Sequence, residues 1–203
     1  MVRKSKEDAE KTRQAVLEAA LDVFSEKGYA KTTFDEIAAR AGFTKGAVYW
    51  YFRNKADLVA ALIIEYMQRK EMQVSQVITE GCHLDDLCKC FQMWAQLSQN
   101  DLRYAKFNKF ILCQMEWSES VLTRVDKSLL ELKNFHLEKI NKILVVCEKN
   151  GELKEGVDID KVTHIIIASY MGIMFSALSK RFDYDAVEMV QMGLGYLIDG
   201  IRK

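Results

Sequence analysis

Apolar residues recur along this chain at helical spacing, and the breaks between the repeats carry helix-stop and helix-start chemistry. Val16, Leu17, Ala20, Leu21 and Phe24 form one stripe with the three-to-four-residue period of a helix. Ser5, followed by Glu7 and Asp8, can cap its start, and Gly28 follows as a stop. Thr33 with Glu36 three residues on has the form of a capping box, ahead of Ile37, Ala38 and Ala41, and Gly42 breaks that short run. Thr44 opens a third helix, Lys45 to Phe52, and Asn54 closes it. Asp57 opens a long fourth helix through Leu58, Leu62, Ile63, Tyr66 and Met67, to about Gly81. Further helices are expected over 84–100, 102–116, 118–149, 158–182 and 184–202. Gly151 and Gly156 bracket a loop.

The chain contains no proline, a residue that helix interiors exclude and turn-rich β proteins use freely, so the composition agrees with an all-α fold. At 203 residues and 49% apolar, it can bury a sizeable core. The formal net charge is zero, but residues 1–55 hold eleven Lys/Arg against eight Asp/Glu, an excess of three. A local excess, rather than the total, governs attraction to phosphate. The charged first fifteen residues do not read as a signal peptide. The run Ile165–Leu178 is shorter than the ~20 residues needed to span a bilayer and carries Ser169, Gly172 and Ser176. A cytoplasmic protein without a membrane span is therefore expected.

The two short helices around Gly42 have the form of a helix-turn-helix, with Ala38 and Ala41 small enough for close crossing. With about 100° of rotation per residue, Val48 and Phe52 share a stripe suited to the core. Lys45, Gly46, Tyr49 and Trp50 share a neighbouring stripe suited to DNA. Lys45 can reach a phosphate or a guanine edge, Gly46 allows close backbone approach, and the aromatic residues can meet a phosphate or a thymine methyl. Thr33 and Thr44 sit at helix starts, where free amides suit phosphates. Lys55 is expected to meet the DNA backbone, with Arg3, Lys4 and Lys6 as a mobile arm.

The runs Thr12 to Tyr29, Thr33 to Gly42 and Lys45 to Phe52, with Asn54-Lys55, resemble the TetR family of regulators, most closely its branch of multidrug-efflux repressors. The resemblance covers about the first sixty residues. It implies a three-helix DNA-binding domain over 1–55 and a helical ligand-binding and dimerisation domain over 56–203. By position it carries over Thr33, Thr44, Lys45, Gly46, Tyr49, Trp50, Tyr51 and Lys55 as DNA contacts; Tyr51 stands where that branch often has histidine.

In the larger part, Phe107, Phe110, Gln114 and Trp117 are expected on one face of a single helix. With Met93, Trp94, Phe135, Met171, Met174 and Phe175 they form the candidate effector pocket, although an aromatic stripe at helical spacing also fits plain core. Glu116 or Glu138 could favour a cationic ligand. The helix around Ile165–Phe175 is apolar on almost every face and is expected to be buried on all sides. The last helix shows two sticky sides: Val187, Val190, Leu194, Leu197 and Ile201, and opposite them Met189, Met192 and Tyr196. The first of these sides, with Ile165 and Gly172, is the candidate interface of a two-fold homodimer that would read a pseudo-palindromic operator. The five cysteines show no metal-ligand spacing, because Cys88 and Cys90 stand two apart on a helix. A thiol switch at Cys82, Cys88 or Cys90 is one alternative, and a ligand-dependent activator another. No catalytic motif, metal site or cofactor site is read in the sequence.

Overall fold

The computed structural model describes residues 6–74 and 83–203, without the side chains of residues 70, 71, 73, 74, 124 and 126–136. Nine α-helices and one π-helical turn make up the described architecture: α1 (Lys6–Lys27), α2 (Phe34–Ala41), α3 (Lys45–Tyr51), α4 (Lys55–Val74), α5 (Leu84–Asn100), α6 (Leu102–Lys109) with the π turn Phe110–Gln114, α7 (Glu119–Lys149), α8 (Ile159–Leu178) and α9 (Ala186–Ile201). The fold is all-α, with a three-helix helix-turn-helix unit followed by a larger helical body.

Local chemistry sets most boundaries. Thr33 accepts from Glu36 N while the Glu36 carboxylate accepts from Thr33 N, so the capping box forms in full. Gly42 ends α2 at φ 73°, where a Cβ would be strained. Its N–H reaches Ala39 O at 3.3 Å and the Phe43 N–H reaches Ala38 O at 2.9 Å, the paired bonds of a Schellman ending. Asp101, Ser118, Asp158 and Asp185 cap α6, α7, α8 and α9.

Three boundaries differ from expectation. Asn54 does not close α3: α3 ends at Tyr51, and Asn54 Oδ1 accepts from Asp57 N at 3.0 Å, capping an α4 that begins at Lys55. α8 stops at Leu178 rather than 182, because Lys180 turns into the left-handed region at φ 53°. The segment expected as one helix over 102–116 passes from α to π winding at Phe110, ends at Gln114 and is extended at Met115. Ser5, Cys82 and the expected run of α4 to Gly81 lie outside the described residues.

Among the described residues, two hydrophobic clusters form the core. The first joins α1, α2, Val48 and Phe52 to α4, to Tyr104, Phe107 and Phe110, and to Val121 and Val125 of α7. Phe24 stacks on Phe110 at 4.9 Å and Tyr66 on Phe107 at 4.1 Å. The second gathers α5, the end of α7, α8 and α9 around Phe91, Trp94, Tyr170, Leu144, Val190 and Leu194.

The dimer residues expected on α9 are largely displaced. Val190 and Leu194 are fully buried inside the protomer, and Val187, Leu197 and Ile201 are half-buried against the same cluster. The outward side of α9 is the other one, with Tyr196 71% exposed and Met189 and Met192 also exposed. α8 is not buried on all sides either: Ile165, Met171, Gly172 and Phe175 are exposed, Thr163, Ile166, Tyr170 and Met174 are buried, and Val162, Ile167, Ile173, Ala177 and Leu178 are half-buried against the second cluster. By length and composition alone α8 could cross a membrane. Leu194→Ala should therefore lower protomer stability by about 2–5 kcal/mol, the cost of a core cavity. Urea unfolding should show that loss at every protein concentration, whereas Tyr196→Ser should leave stability unchanged at high dilution.

Candidate nucleic-acid interface and effector region

α3 is held from beneath and open above. Val48 and Phe52 are buried in the first cluster, and Thr44 Oγ1 accepts from Ala47 N at 3.3 Å to cap the helix. That anchoring turns Tyr49 (51% exposed) and Trp50 (84% exposed) outward. The Tyr49 ring leans on Phe34 at 4.7 Å, which steadies it without covering it. Gly46 is exposed, and an added Cβ would meet only Thr44 Oγ1 at 3.9 Å, an ordinary contact. The protein's own packing therefore does not require glycine there. Without a side chain at Gly46 the α3 backbone is open to close approach from solvent.

Of the expected contact residues, Lys45, Gly46, Tyr49, Trp50 and Thr44 share this open surface. Tyr51 is half-buried and packs against the first cluster. Thr33 is exposed, but its N–H and hydroxyl both donate to Glu36 Oε2, at 3.0 and 3.1 Å. The start of α2 thus already holds a carboxylate where a phosphate was expected. Lys55 turns inward: Nζ donates to Tyr29 O at 2.7 Å and Ala30 O at 3.0 Å and lies over the Tyr29 ring. Burial pushes the Lys55 ammonium below its ordinary range, opposed by Glu116. Lys55 therefore ties the start of α4 to the loop after α1 rather than extending toward solvent.

Sequence reasoning missed Asp35, whose Oδ2 lies 2.7 Å from Lys45 Nζ. The hydrogen bond and charge of Asp35 raise the Lys45 pKa. A separation of ten residues across a turn matches no single-helix periodicity, so no pattern could have found the pair.

The expected effector residues divide between the two clusters. Phe107 and Phe110 belong to the first, stacked on Tyr66 and Phe24. Trp94 and Met174 belong to the second, where Trp94 meets Phe91 at 4.8 Å and Tyr170 at 6.0 Å. The expected single stripe does not form, because the π turn changes the winding at Phe110 and Trp117 lies beyond the helix end, exposed. Gln114 donates from Nε2 to Ser25 O at 3.3 Å, toward α1. Met93 is half-buried, Met171 and Phe175 are exposed, and the Phe135 side chain lies outside the described residues. Burial pushes the Tyr66 phenol up to about 12 and raises Tyr104 and Tyr170 as well. Tyr104 belongs to the first cluster and Tyr170 to the second, and the charge of Tyr170 adds to the rise at Tyr104.

Two open hollows lie elsewhere. One of about 590 Å³ is lined by Gly172, Ile173, Ser176, Phe182, Tyr184 and Met189 on the outer side of α8 and α9. One of about 320 Å³ lies between α7 and α8 and includes Glu138, Asp160 and His164. Glu116 is exposed. Burial raises the thiols of Cys88 and Cys113, and Cys90 and Cys147 lie inside the second cluster. Among the described residues, no group of three or more His, Cys, Asp or Glu is placed to hold a metal ion.

A helix-turn-helix whose second helix faces outward, carried on a helical body, defines a class of regulatory proteins, and comparison with known proteins narrows it. Residues 16–62 match the model of bacterial regulatory proteins of the tetR family. The HTH-type transcriptional regulator TtgR of Pseudomonas putida is 28% identical over 180 residues, covering 86% of this chain and 83% of TtgR. The HTH-type transcriptional regulator AcrR of Shigella flexneri is 47% identical over 62 residues, 30% of this chain and 29% of AcrR. SmeT, the repressor of the Stenotrophomonas maltophilia multidrug efflux pump SmeDEF, aligns with a TM-score of 0.78 at 25% identity, over 97% of this chain and 93% of SmeT. Its complex with triclosan aligns with a TM-score of 0.80 at 26% identity, over 95% and 92% of the two chains. Over residues 16–62 the chain is thus similar to the tetR family, and over most of its length to individual regulators and repressors.

The inward turn of Lys55 makes a direct prediction. Lys55→Met should lower thermal stability by about 1 kcal/mol through loss of its bonds to two carbonyls. It should leave the salt dependence of duplex binding unchanged; a slope flattened by about 1 would instead make Lys55 a phosphate contact.

Proposed function

We propose that the chain is a ligand-responsive, DNA-binding transcriptional repressor that acts as a homodimer in the cytoplasm. The observation that carries this reading is the outward face of α3, where exposed Tyr49 and Trp50 stand beside Lys45 and an unshielded Gly46 backbone. Aromatic carbon, a cation and an approachable backbone are what base-edge and phosphate recognition requires. Residues 1–55 serve as the reading unit and 56–203 as the effector and dimer body. Thr44, Lys45, Gly46, Tyr49 and Trp50 make the principal contacts, with Tyr51 at the margin.

The dimer forms through the outward sides of α8 and α9, centred on Ile165, Met171, Gly172, Phe175, Met189, Met192 and Tyr196. Exposed apolar side chains spread along two neighbouring helices support a partner there. Two copies related by a two-fold axis bring two α3 helices to successive major grooves, about 34–36 Å apart.

The effector is a small apolar or cationic molecule, by analogy with the triclosan complex of SmeT. It enters where the two clusters adjoin, near Trp94, Tyr104, Phe107, Tyr170 and Met174. Phe110 stacks on Phe24 of α1 and Phe107 on Tyr66 of α4, so a shift of α6 and its π turn reaches the reading unit directly at α1 and bears on α4, which follows that unit without a break. Coupling of about 1–3 kcal/mol would weaken operator binding about 5–150-fold. A thiol switch at Cys88 or Cys90 is disfavoured, since burial raises the Cys88 thiol and Cys90 lies inside the second cluster.

Selection of bound fragments from random duplex DNA should recover two half-sites related by two-fold symmetry; failure to hold any duplex at low ionic strength would contradict the reading. Gly46→Ala should stabilise the fold by about 0.5–1 kcal/mol yet lower operator affinity about tenfold or more. Unfolding and titration measured on the same preparation check both, and undiminished affinity would remove Gly46 from the contact surface.

A further inference from the structure

The corner between α2 and α3 carries an ion pair that stability does not call for. Lys45 Nζ and Asp35 Oδ2 lie 2.7 Å apart on side chains 50% and 65% exposed, a setting in which ion pairs contribute little to folding. Other contacts already brace α2: the Thr33–Glu36 box caps it, Lys27 pairs with Glu36, and Arg40 forms a two-pronged pair with Glu26. Those pairs tie α2 to α1. The Asp35–Lys45 pair instead crosses to α3, and it sits beside Tyr49, one helical turn from Lys45.

We propose that Asp35 is a positioning residue for DNA recognition: it holds the Lys45 ammonium at the start of α3 for a neutral base edge and makes it a poor partner for a phosphate. The inference rests on the reading of α3 as the DNA-contacting helix. An ammonium has three donors, and Asp35 takes one of them. The others can serve guanine O6 or N7, which are uncharged acceptors and tolerate a nearby carboxylate. A phosphate is an anion, and to reach Lys45 it must approach Asp35 as well. The pair has no net charge, so a phosphate set against it releases little of the counterion atmosphere that drives sequence-independent binding. Asp35 thus lowers affinity for DNA in general while keeping Lys45 in place for one sequence.

The test titrates the full-length protein with a random-sequence duplex and with the selected operator across a salt series, read by fluorescence anisotropy. Asp35→Asn should bind the random duplex about 3–10-fold more tightly at low salt, with a log–log salt slope steeper by about 0.9 for each subunit. Its preference for operator over random duplex should fall, with base selection relaxed at one position of each half-site. Asp35→Glu should restore the wild-type slope, and in a Lys45→Met background Asp35→Asn should have no effect on it. Thermal unfolding establishes that each variant is folded. An unchanged slope in Asp35→Asn, or equal loss of affinity for both duplexes, would overturn the proposal while leaving α3 as the reading helix. Wild-type protein that holds neither duplex would overturn the parent reading and this inference with it.

Discussion

The stacking of Phe24 on Phe110 is the contact on which the rest of the molecule depends. Both rings are fully buried and nearly parallel, and they join α1 to the end of α6 within one continuous cluster. Burial of each ring is worth about 1.5–3 kcal/mol, and a stacked pair adds about 0.5–1.5 kcal/mol. Removed from the body, α1 to α3 would expose one side of α1 and lose the packing of α4. The helix-turn-helix unit therefore stands in a position that the body sets. Lys106 to Asp22 at 2.7 Å, Arg103 to Glu18 at 3.4 Å and Gln114 to Ser25 O line the same joint with polar contacts.

The shared core also explains what faces outward. Val48 and Phe52 are drawn in by α1 and α4, which turns Tyr49, Trp50 and Gly46 toward solvent. Lys55 is consumed by the carbonyls of Tyr29 and Ala30, so it closes the unit rather than extending it. Near the end of the sequence, α9 gives Val190, Leu194 and Ile198 to the protomer core and leaves Met189, Met192 and Tyr196 outside. The exposed α3 face and the apolar α8–α9 face thus belong to opposite ends of the sequence, and α1 and α4 to the first cluster as α8 and α9 to the second.

What was legible in the sequence was local. Thr33, Gly42 and Thr44 act through bonds within a few residues of themselves, so spacing alone revealed the two short helices and the turn between them. The inward assignment of Val48 and Phe52 followed from helical period. What was not legible depended on partners distant in sequence. Two apolar stripes on α9 look alike until the burial partner is known, and the choice of Val190 and Leu194 as an intermolecular surface was reversed by α5 and α8 packing. Likewise Lys55 and Lys45 read as two similar cations, although one is held by backbone carbonyls and the other by Asp35. The π turn at Phe110 has no periodic signature, and it dispersed the stripe expected through Phe107, Phe110, Gln114 and Trp117.

The central claim is that α3, presented by a core it shares with the body, is the surface that meets duplex DNA. Amide hydrogen exchange followed with and without bound operator tests it most directly. The account predicts slowed exchange across residues 44–51, with smaller changes along α1 and α6, where the stacked joint transmits order. Slowing confined to other helices, with residues 44–51 exchanging as in the free protein, would contradict it.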